Sequence, residues 1–496
     1  MPAGLDFQFS FRPAPCAGRC GTSDVFRLLV LGNFSGHGTR ATPLAGRVPG
    51  RVDVDNFEAF FRRLAPRLRL SLQSGTEVAL ELTSLEDFHA DALYRRLPLF
   101  QAPRDLRSRL MNPASFAAAA AELYGRPADA VPESDSSTLD RLLGAGPAGT
   151  PQRASTPSGH AGLIDGLLRQ AVAPHVVAAP SPQRDICLQT LDARVATQLS
   201  EVLHHPEFQA LEAAWLSLRS LVASLGGNAE IHLEVLDASR AELAADLAAA
   251  DTARSGLWVQ LVEGGTGAPG GAARSAVAAC FSFGPGTEDL NLLAALAAVS
   301  AGTGAPLLVD ASPALLGIAA IAAQPDPRDW PGLAPADAAR WQALRQSALA
   351  PWIGLALPRV LARLPYGRRG EPMESLPFEE LGPNFPHESC LWGSAALALA
   401  QVLGLGFLEN GEDMVPGDLL DLGELPAFVH EVDGERLLLP CAEVLLGERA
   451  VDALLSRGLM PLISHRDRNA IRVPRFQSIA SPAAPLAGHW GREDQA

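Results

Sequence analysis

The sequence predicts an α/β fold, with a small α/β domain, a linker and a larger α/β domain. Short apolar runs bounded by turn residues predict strands, and longer segments with apolar residues on one helical face predict helices. Their alternation is typical of βαβ units around a sheet. In the longer C-terminal part the predicted strands are residues 230–235, 256–262, 278–283 and 306–310, and the predicted helices are residues 188–203, 238–250 and 290–301.

The N-terminal part shows the same alternation on a smaller scale. Residues 25–31 (VFRLLVL) form an apolar run that ends at Gly32 and Asn33, which predicts a buried strand followed by a turn. Residues 67–72 and 77–82 flank Gln73-Ser74-Gly75 and are expected to pair. The remaining elements expected here are a short strand at 51–55, a helix beginning near Asn56, and helices at 85–100 and 101–110.

Composition divides the chain into five regions. From about residue 125 to residue 185 Pro, Gly, Ser, Thr and Ala dominate, which is typical of a linker. The linker contains two short amphipathic pieces, 138–143 and 163–172, either transient helices or peptides recognised by another protein. The predicted regions are an arm at 1–22, a small domain at 23–125, the linker at 126–185, a large domain at 186–481 and a tail at 482–496.

The N-terminal arm contains a strictly alternating segment. Phe7, Phe9 and Phe11 point one way while Gln8 and Ser10 point the other, which predicts a strand. Prolines and glycines separate this strand from the next element. Its apolar face is therefore expected either to join its own sheet or to extend the sheet of another subunit.

A second informative segment begins at Pro206, which suits the first turn of a helix. Phe208, Leu211, Trp215 and Leu218 follow at spacings that place them on one helical face. They predict an amphipathic helix whose apolar stripe, with Trp215 as its largest member, is buried in a core.

Charge and residue usage exclude several classes of function. The formal net charge of −15 argues against a sequence-independent nucleic-acid binder. All 40 basic residues are arginine, so no Walker A or Schiff-base lysine exists. Six scattered cysteines and the absence of an apolar leader or long apolar run predict a cytoplasmic protein without membrane insertion.

Candidate chemical sites are few. Residues 265–270 (GTGAPG) match G-x-G-x-x-G, but Pro269 stands where a helix should start. Cys16, Cys20 and His37 lack the fourth ligand of a zinc finger, and His204 and His205 lack metalloprotease spacing. A nucleophile within residues 310–312 has no evident partner histidine. We therefore expect no catalysis, no metal and no cofactor.

Ordered sequence motifs carry a resemblance to a known family. Residues 26–34 (FRLLVLGNF), 51–57 (RVDVDNF) and 82–88 (LTSLEDF) resemble the small contractile-sheath subunit of bacterial type VI secretion systems. Later motifs resemble the large sheath subunit. They are HHPEFQALEAAW (204–215), ASPALLG (311–317), WQALRQS (341–347), LALPR (355–359), RLPYG (363–367), LWGSAA (391–396), CAEV (441–444) and GLMPL (458–462). The chain thus resembles a fusion of two sheath subunits.

The resemblance implies a helical polymer of this chain around an inner tube, whose contraction drives that tube outward. It implies that terminal strands complete a neighbour's sheet. The residues expected to exchange are Phe7, Phe9, Phe11, Val473, Phe476 and Ile479, the last three within a strand at 472–479.

The resemblance also implies other partners: an inner-tube protein, baseplate components and an AAA+ unfoldase that recycles the sheath. The segments that the unfoldase would recognise contain Leu139, Leu142, Leu143, Leu163, Leu167 and Leu168. Two alternatives stay open. One is a sheath-derived adaptor that does not polymerise, and the other is an enzyme that binds a nucleotide at residues 265–270.

Overall fold

A computed structural model describes residues 25–36, 38, 40, 42–125, 182–248, 252–267, 273–382, 385–432 and 435–490. These residues form two compact units. One comprises residues up to Tyr94 together with those from Leu199 onward, and the other comprises Arg95–Gln198. None of the described helices has the length and apolar character needed to cross a bilayer.

The larger unit is built on a seven-stranded sheet with the order β14-β8-β7-β6-β1-β5-β2. Six strands are parallel, and β2 joins one edge in the antiparallel direction. The strands are β1 (Phe26–Gly32), β2 (Gly50–Val52), β5 (Ile231–Asp237), β6 (Ala276–Phe283), β7 (Leu307–Ala311), β8 (Ile353–Leu357) and β14 (Leu459–Pro461). The expected α/β fold class is confirmed.

Smaller antiparallel sheets account for the other strands. Their strands are β3 (Arg67–Ser71) with β4 (Glu77–Glu81), β9 (Val360–Leu361) with β10 (Trp392–Gly393), β12 (Phe428–Val432) with β13 (Glu435–Leu439), and the set β11 (Asp421–Leu422), β16 (Ile471–Arg472) and β15 (Ile463–Ser464). The expected pairing of residues 67–72 with residues 77–82 is confirmed by β3 and β4.

The described helices belong to both units. They are α1 (Phe57–Leu64), α2 (Ala90–Arg96), α3 (Gln101–Met111), α4 (Phe116–Leu123), α5 (Pro182–Leu203), α6 (Pro206–Leu225), α7 (Arg240–Leu247), α8 (Gly256–Trp258), α9 (Thr287–Gly302), α10 (Pro335–Arg345), α11 (Ala395–Asn410) and α12 (Glu448–Ser456). Alternate residues of β1, Leu29 and Leu31, pack in the same core as α9. Both α9 and α11 are buried along most of their length, as expected for helices packed on an internal parallel sheet.

In the smaller unit, α3, α4 and the first part of α5 pack together. Arg107 Nε lies 3.1 Å from Asp192 Oδ1, and Arg194 Nη1 donates to the carbonyl oxygen of Leu123 at 3.1 Å. Leu110, Leu123 and Leu191 are buried. This unit therefore joins helices from before and after the predicted linker.

One expected strand is wrong. Residues 256–262 form α8 and then a π-helix over Val259–Thr266. The carboxylate of Asp246 accepts hydrogen bonds from the backbone nitrogens of Gly256 and Leu257, both at 2.9 Å, and Ser255 caps the same turn. These side chains accept hydrogen bonds from the free N–H groups at the start of a helix. A strand has no such run of free N–H groups. An apolar run of this length is ambiguous in sequence, and here the caps decide its conformation.

Of the segment 472–479, expected to exchange as a strand with a neighbour, only Arg472 lies in a strand of this chain, and the exchange stays a prediction. The rest of the segment is irregular. The backbone nitrogen of Val473 donates to Leu420, and that of Ile479 donates to Ile353. The segment is therefore held by two different parts of its own chain, which prevents a continuous ladder with one partner.

Candidate functional site

The candidate site is the junction between the N-terminal segment, which we define as described residues 25–94, and the C-terminal segment, described residues 199–490. Strand β1 of the N-terminal segment lies between β5 and β6 of the C-terminal segment. Seven residue pairs connect β1 with β5, from Phe26 opposite Ile231 to Gly32 opposite Asp237. Strands from both segments thus form one continuous sheet.

An aromatic cluster reinforces the junction. Trp215 is fully buried, and its Nε1 donates to the carbonyl oxygen of Phe34 at 2.7 Å. Its ring lies 4.4 Å from that of Phe61, 5.3 Å from Phe34, 5.8 Å from Phe57 and 6.3 Å from Phe60, measured between centroids. All four phenylalanines belong to the N-terminal segment. The apolar stripe of α6, including Phe208, Leu211 and Leu218, is buried as well.

A network of ion pairs lies at the carboxyl end of β5. Arg47 Nη2 is 2.6 Å from Glu242 Oε1, and Arg40 Nη2 is 2.6 Å from Asp237 Oδ1. Glu242 also closes a capping box with Ser239 at the start of α7. Burial opposes the charge of Glu242, but hydrogen bonds from Arg47 and from backbone groups outweigh it and lower the pKa of Glu242 to about 2.

The Glu242 network predicts an acid sensitivity. A carboxyl group whose pKa is lower in the folded than in the unfolded protein stabilises the fold at pH values above its unfolded pKa, here 4.5. That stabilisation is lost as the pH falls toward 2. We expect Glu242→Gln to lower the free energy of unfolding at neutral pH by about 2–3 kcal/mol, with the difference from wild type vanishing near pH 2. Urea titrations of both proteins across that range measure it. A difference that does not change with pH would contradict the assignment.

A second charged cluster is buried beneath α6. Arg363 Nε lies 2.7 Å from Glu212 Oε1, and its two terminal nitrogens contact the carboxylate of Glu380 at 2.8 and 3.0 Å. The guanidinium also stacks 4.1 Å above the ring of Tyr366. Burial raises the pKa of Glu212, whereas in Glu380 the attraction of Arg363 outweighs burial and lowers the pKa to about 2. The cluster ties the HHPEFQALEAAW motif to the RLPYG motif.

The two histidines before α6 have structural positions. His205 is the N-cap residue of α6, and its Nδ1 accepts a hydrogen bond from the backbone nitrogen of Glu207 at 3.3 Å. His204 Nε2 lies 3.6 Å from Glu380 Oε1. The residues described in the structure include no group of His, Cys, Asp or Glu side chains arranged to hold a metal ion.

A cleft of about 500 Å³ lies between the two segments. Leu85, Phe88 and His89 line it from the N-terminal segment, and Glu212 and Arg363 line it from the C-terminal segment. Two ion pairs lie in its wall, since Arg363 holds Glu212 and His89 lies 3.4 Å from Glu371. The cleft therefore brings charged groups of both segments together at the junction.

The other candidate residues have structural roles. Asp310 is buried, which raises its pKa to about 7, and its carboxylate accepts hydrogen bonds from Ser394 Oγ at 3.0 Å and the nitrogen of Ala396 at 2.7 Å. It caps the start of α11. Ser312 Oγ accepts from the nitrogen of Ala314. No histidine contacts either side chain within the described ranges.

The glycine motif lies in a different setting from the one that a dinucleotide site requires. Gly265 is inside the π-helix and Gly267 ends it, so no strand leads into the motif. Residues 268–272 lie outside the described residues. The nucleotide-binding hypothesis loses the strand on which it depended.

Several expected site residues cannot be placed. Phe7, Phe9 and Phe11, the candidate ligands Cys16, Cys20 and His37, and Leu139, Leu142, Leu143, Leu163, Leu167 and Leu168 all lie outside the described residues. Val473, Phe476 and Ile479 are described, and they are buried within their own chain with exposures of 0%, 7% and 0%. In this conformation their side chains are not available to a neighbour.

Two known protein families match this chain. Residues 185–480 match the VipB family, described as EvpB/VC_A0108, tail sheath N-terminal domain. The chain belongs to this type VI secretion sheath family. Residues 25–126 match a second family, described as type VI secretion system, VipA, VC_A0107 or Hcp2. A sheath protein therefore carries a VipA-type part and a VipB-type part in one chain.

A curated relative supports the same assignment. The chain is 29% identical over 304 residues to the type VI secretion system sheath protein TssC1 of Pseudomonas aeruginosa. The match covers 60% of this chain and 61% of the relative, so the chain spans less than two thirds of that protein's length. The junction described above is thus the place where a VipA-type part and a VipB-type part meet.

Proposed function

We propose that this sheath component acts in the cytoplasm and without catalysis. It would polymerise into a helical tube around an inner tube, and its contraction would drive the inner tube outward. The observation that supports this most is the position of β1 between β5 and β6. Because the VipA-type and VipB-type parts share one sheet, each chain would supply a complete subunit. Its partners would be further copies of itself, an inner-tube protein, baseplate components and an AAA+ recycling unfoldase.

Polymerisation would use the alternating N-terminal arm. Strand addition needs an unpaired edge with an apolar surface beside it. The β12–β13 hairpin is a separate two-stranded sheet, and Val429 and Leu438, which lie opposite each other, are 46% and 40% exposed. We propose that the Phe7–Phe11 face of one copy covers this hairpin in the next. Repetition of such a head-to-tail contact produces a helical filament.

Removal of the arm tests this mechanism. We expect a protein that lacks residues 1–12 to melt at the same temperature as the full chain and to form no tubes in electron micrographs. The triple variant Phe7→Ser/Phe9→Ser/Phe11→Ser should behave in the same way, because it removes one face of the arm. The matched control Gln8→Ala/Ser10→Ala alters the opposite face and should still polymerise. Tubes from the deletion variant would refute the strand-exchange assignment.

A second candidate function is an adaptor that binds a sheath or baseplate without polymerising. The burial of Val473, Phe476 and Ile479 favours it, because the second segment expected to exchange is engaged within its own chain. Genes for separate small and large sheath subunits beside this one would support the adaptor. In addition, the purified protein would bind preformed sheath and remain monodisperse when alone.

A further inference from the structure

Four exposed arginines lie in and beside strand β16 of the three-stranded sheet β11-β16-β15. We define the arginine strip as Arg466, Arg468, Arg472 and Arg475, all of which are exposed. They fall within ten residues that contain a single acidic residue, Asp467, in a chain whose formal net charge is −15. The strip is therefore a local reversal of the charge of the whole protein.

The strip is only partly neutralised by its own chain. Asp421 Oδ1 lies 2.9 Å from Arg472 Nε and 3.1 Å from His465 Nε2, and Asp421 Oδ2 lies 3.2 Å from Arg468 Nη2. One carboxylate thus serves three basic groups. Arg466 and Arg475 form no ion pair with any carboxylate that the structure describes. A positive surface remains open to solvent.

The complementary surface occurs in the same chain. Residues 409–424 contain six carboxylates and no basic residue, and we call them the acidic segment. Apart from Asp421 its carboxylates are exposed, and no arginine or histidine of the described ranges pairs with them. They are Glu409, Glu412, Asp413, Asp418 and Glu424. The acidic segment contains β11, which pairs with the strand β16 that carries Arg472.

We propose that the arginine strip of one copy binds the acidic segment of a second copy. This inference rests on the proposed self-assembly and specifies one of its contacts. Opposed charged surfaces attract over about 10 Å at moderate salt and fix the register of association.

Charge reversal in the full chain tests the contact. Arg466→Glu/Arg475→Glu reverses the strip and leaves the Asp421 pairs intact, and Glu412→Arg/Asp413→Arg reverses the acidic segment. We expect each variant alone to associate at least about tenfold more weakly in sedimentation velocity at low salt. An equimolar mixture of the two should recover wild-type association, because every reversed surface then meets its opposite. The control Arg62→Glu/Arg69→Glu makes the same charge change at exposed arginines of α1 and β3 and should have no effect.

The outcomes separate this contact from the proposed function. Tubes that form equally well from wild type and both variants would overturn the contact and leave the sheath assignment standing. Weakened association of each variant without recovery in the mixture would also overturn it. A wild-type protein that does not self-associate at any salt concentration would refute both. Binding of the strip to a double-stranded DNA probe, with self-association unchanged, would assign it to a different partner.

Discussion

Trp215→Ala is expected to lower the free energy of unfolding by about 3–5 kcal/mol, the range found when a large buried aromatic side chain is truncated. The cavity would open where four phenylalanines of the N-terminal segment meet α6. The substitution also leaves the carbonyl oxygen of Phe34 without the indole donor that lies 2.7 Å away. Urea denaturation followed by circular dichroism measures the loss.

Trp490→Ala is the matched control, since this indole is only half-buried and lies near the end of the described chain. We expect it to cost far less than Trp215→Ala. Trp215→Phe should fall between the two, because it keeps most of the apolar contact and loses the hydrogen bond. If Trp215→Ala and Trp490→Ala were equally mild, the aromatic cluster would not stabilise the junction between the segments.

Arg363→Met is expected to have a comparable effect for an electrostatic reason. It leaves the carboxylates of Glu212 and Glu380, with side-chain exposures of 1% and 2%, without their guanidinium partner. Removing one member of a buried ion pair costs about 3–5 kcal/mol, because an uncompensated charge stays in the interior. The two carboxyl groups would then have raised pKa values, so the variant should regain stability as pH falls and they are neutralised.

Arg368→Met provides the control for Arg363→Met. Arg368 pairs with Glu379, but its side chain is 92% exposed, and exposed pairs contribute at most about 1 kcal/mol. Adding Glu212→Gln to Arg363→Met should recover part of the loss, because it removes one unpaired charge. A thermal melt of Arg363→Met that matches that of Arg368→Met would show that the buried cluster does not stabilise the fold.

Local patterns in the sequence were sufficient to predict many elements. The runs around β1, β6 and β7 are largely apolar, the run around β5 has polar residues between apolar ones, and each forms a strand close to its expected bounds. Pro206 and the spacing of Phe208, Leu211 and Trp215 likewise locate α6. These signals lie within one element, so a single sequence contains them.

Pairings between distant residues were not predictable in the same way. Arg363 and Glu212 are 151 residues apart, and nothing in their local sequence indicates that they meet. The position of β1 between β5 and β6 was not predictable either, because a buried parallel strand has the same apolar pattern at any position in a sheet. Glu212 is a carboxylate that directly follows Leu211, a member of the apolar stripe, so the sequence could indicate that it is unusual. The sequence could not identify Arg363 as its partner.

Electron cryomicroscopy of the purified full chain tests the central proposal most directly. We predict helical tubes whose repeating unit is a single chain, with β1 between β5 and β6 of the same copy. Monodisperse particles under every polymerising condition would contradict the proposal that this chain alone builds a sheath. Tubes in which β1 of one copy entered the sheet of another would contradict the proposal that each chain forms a complete subunit.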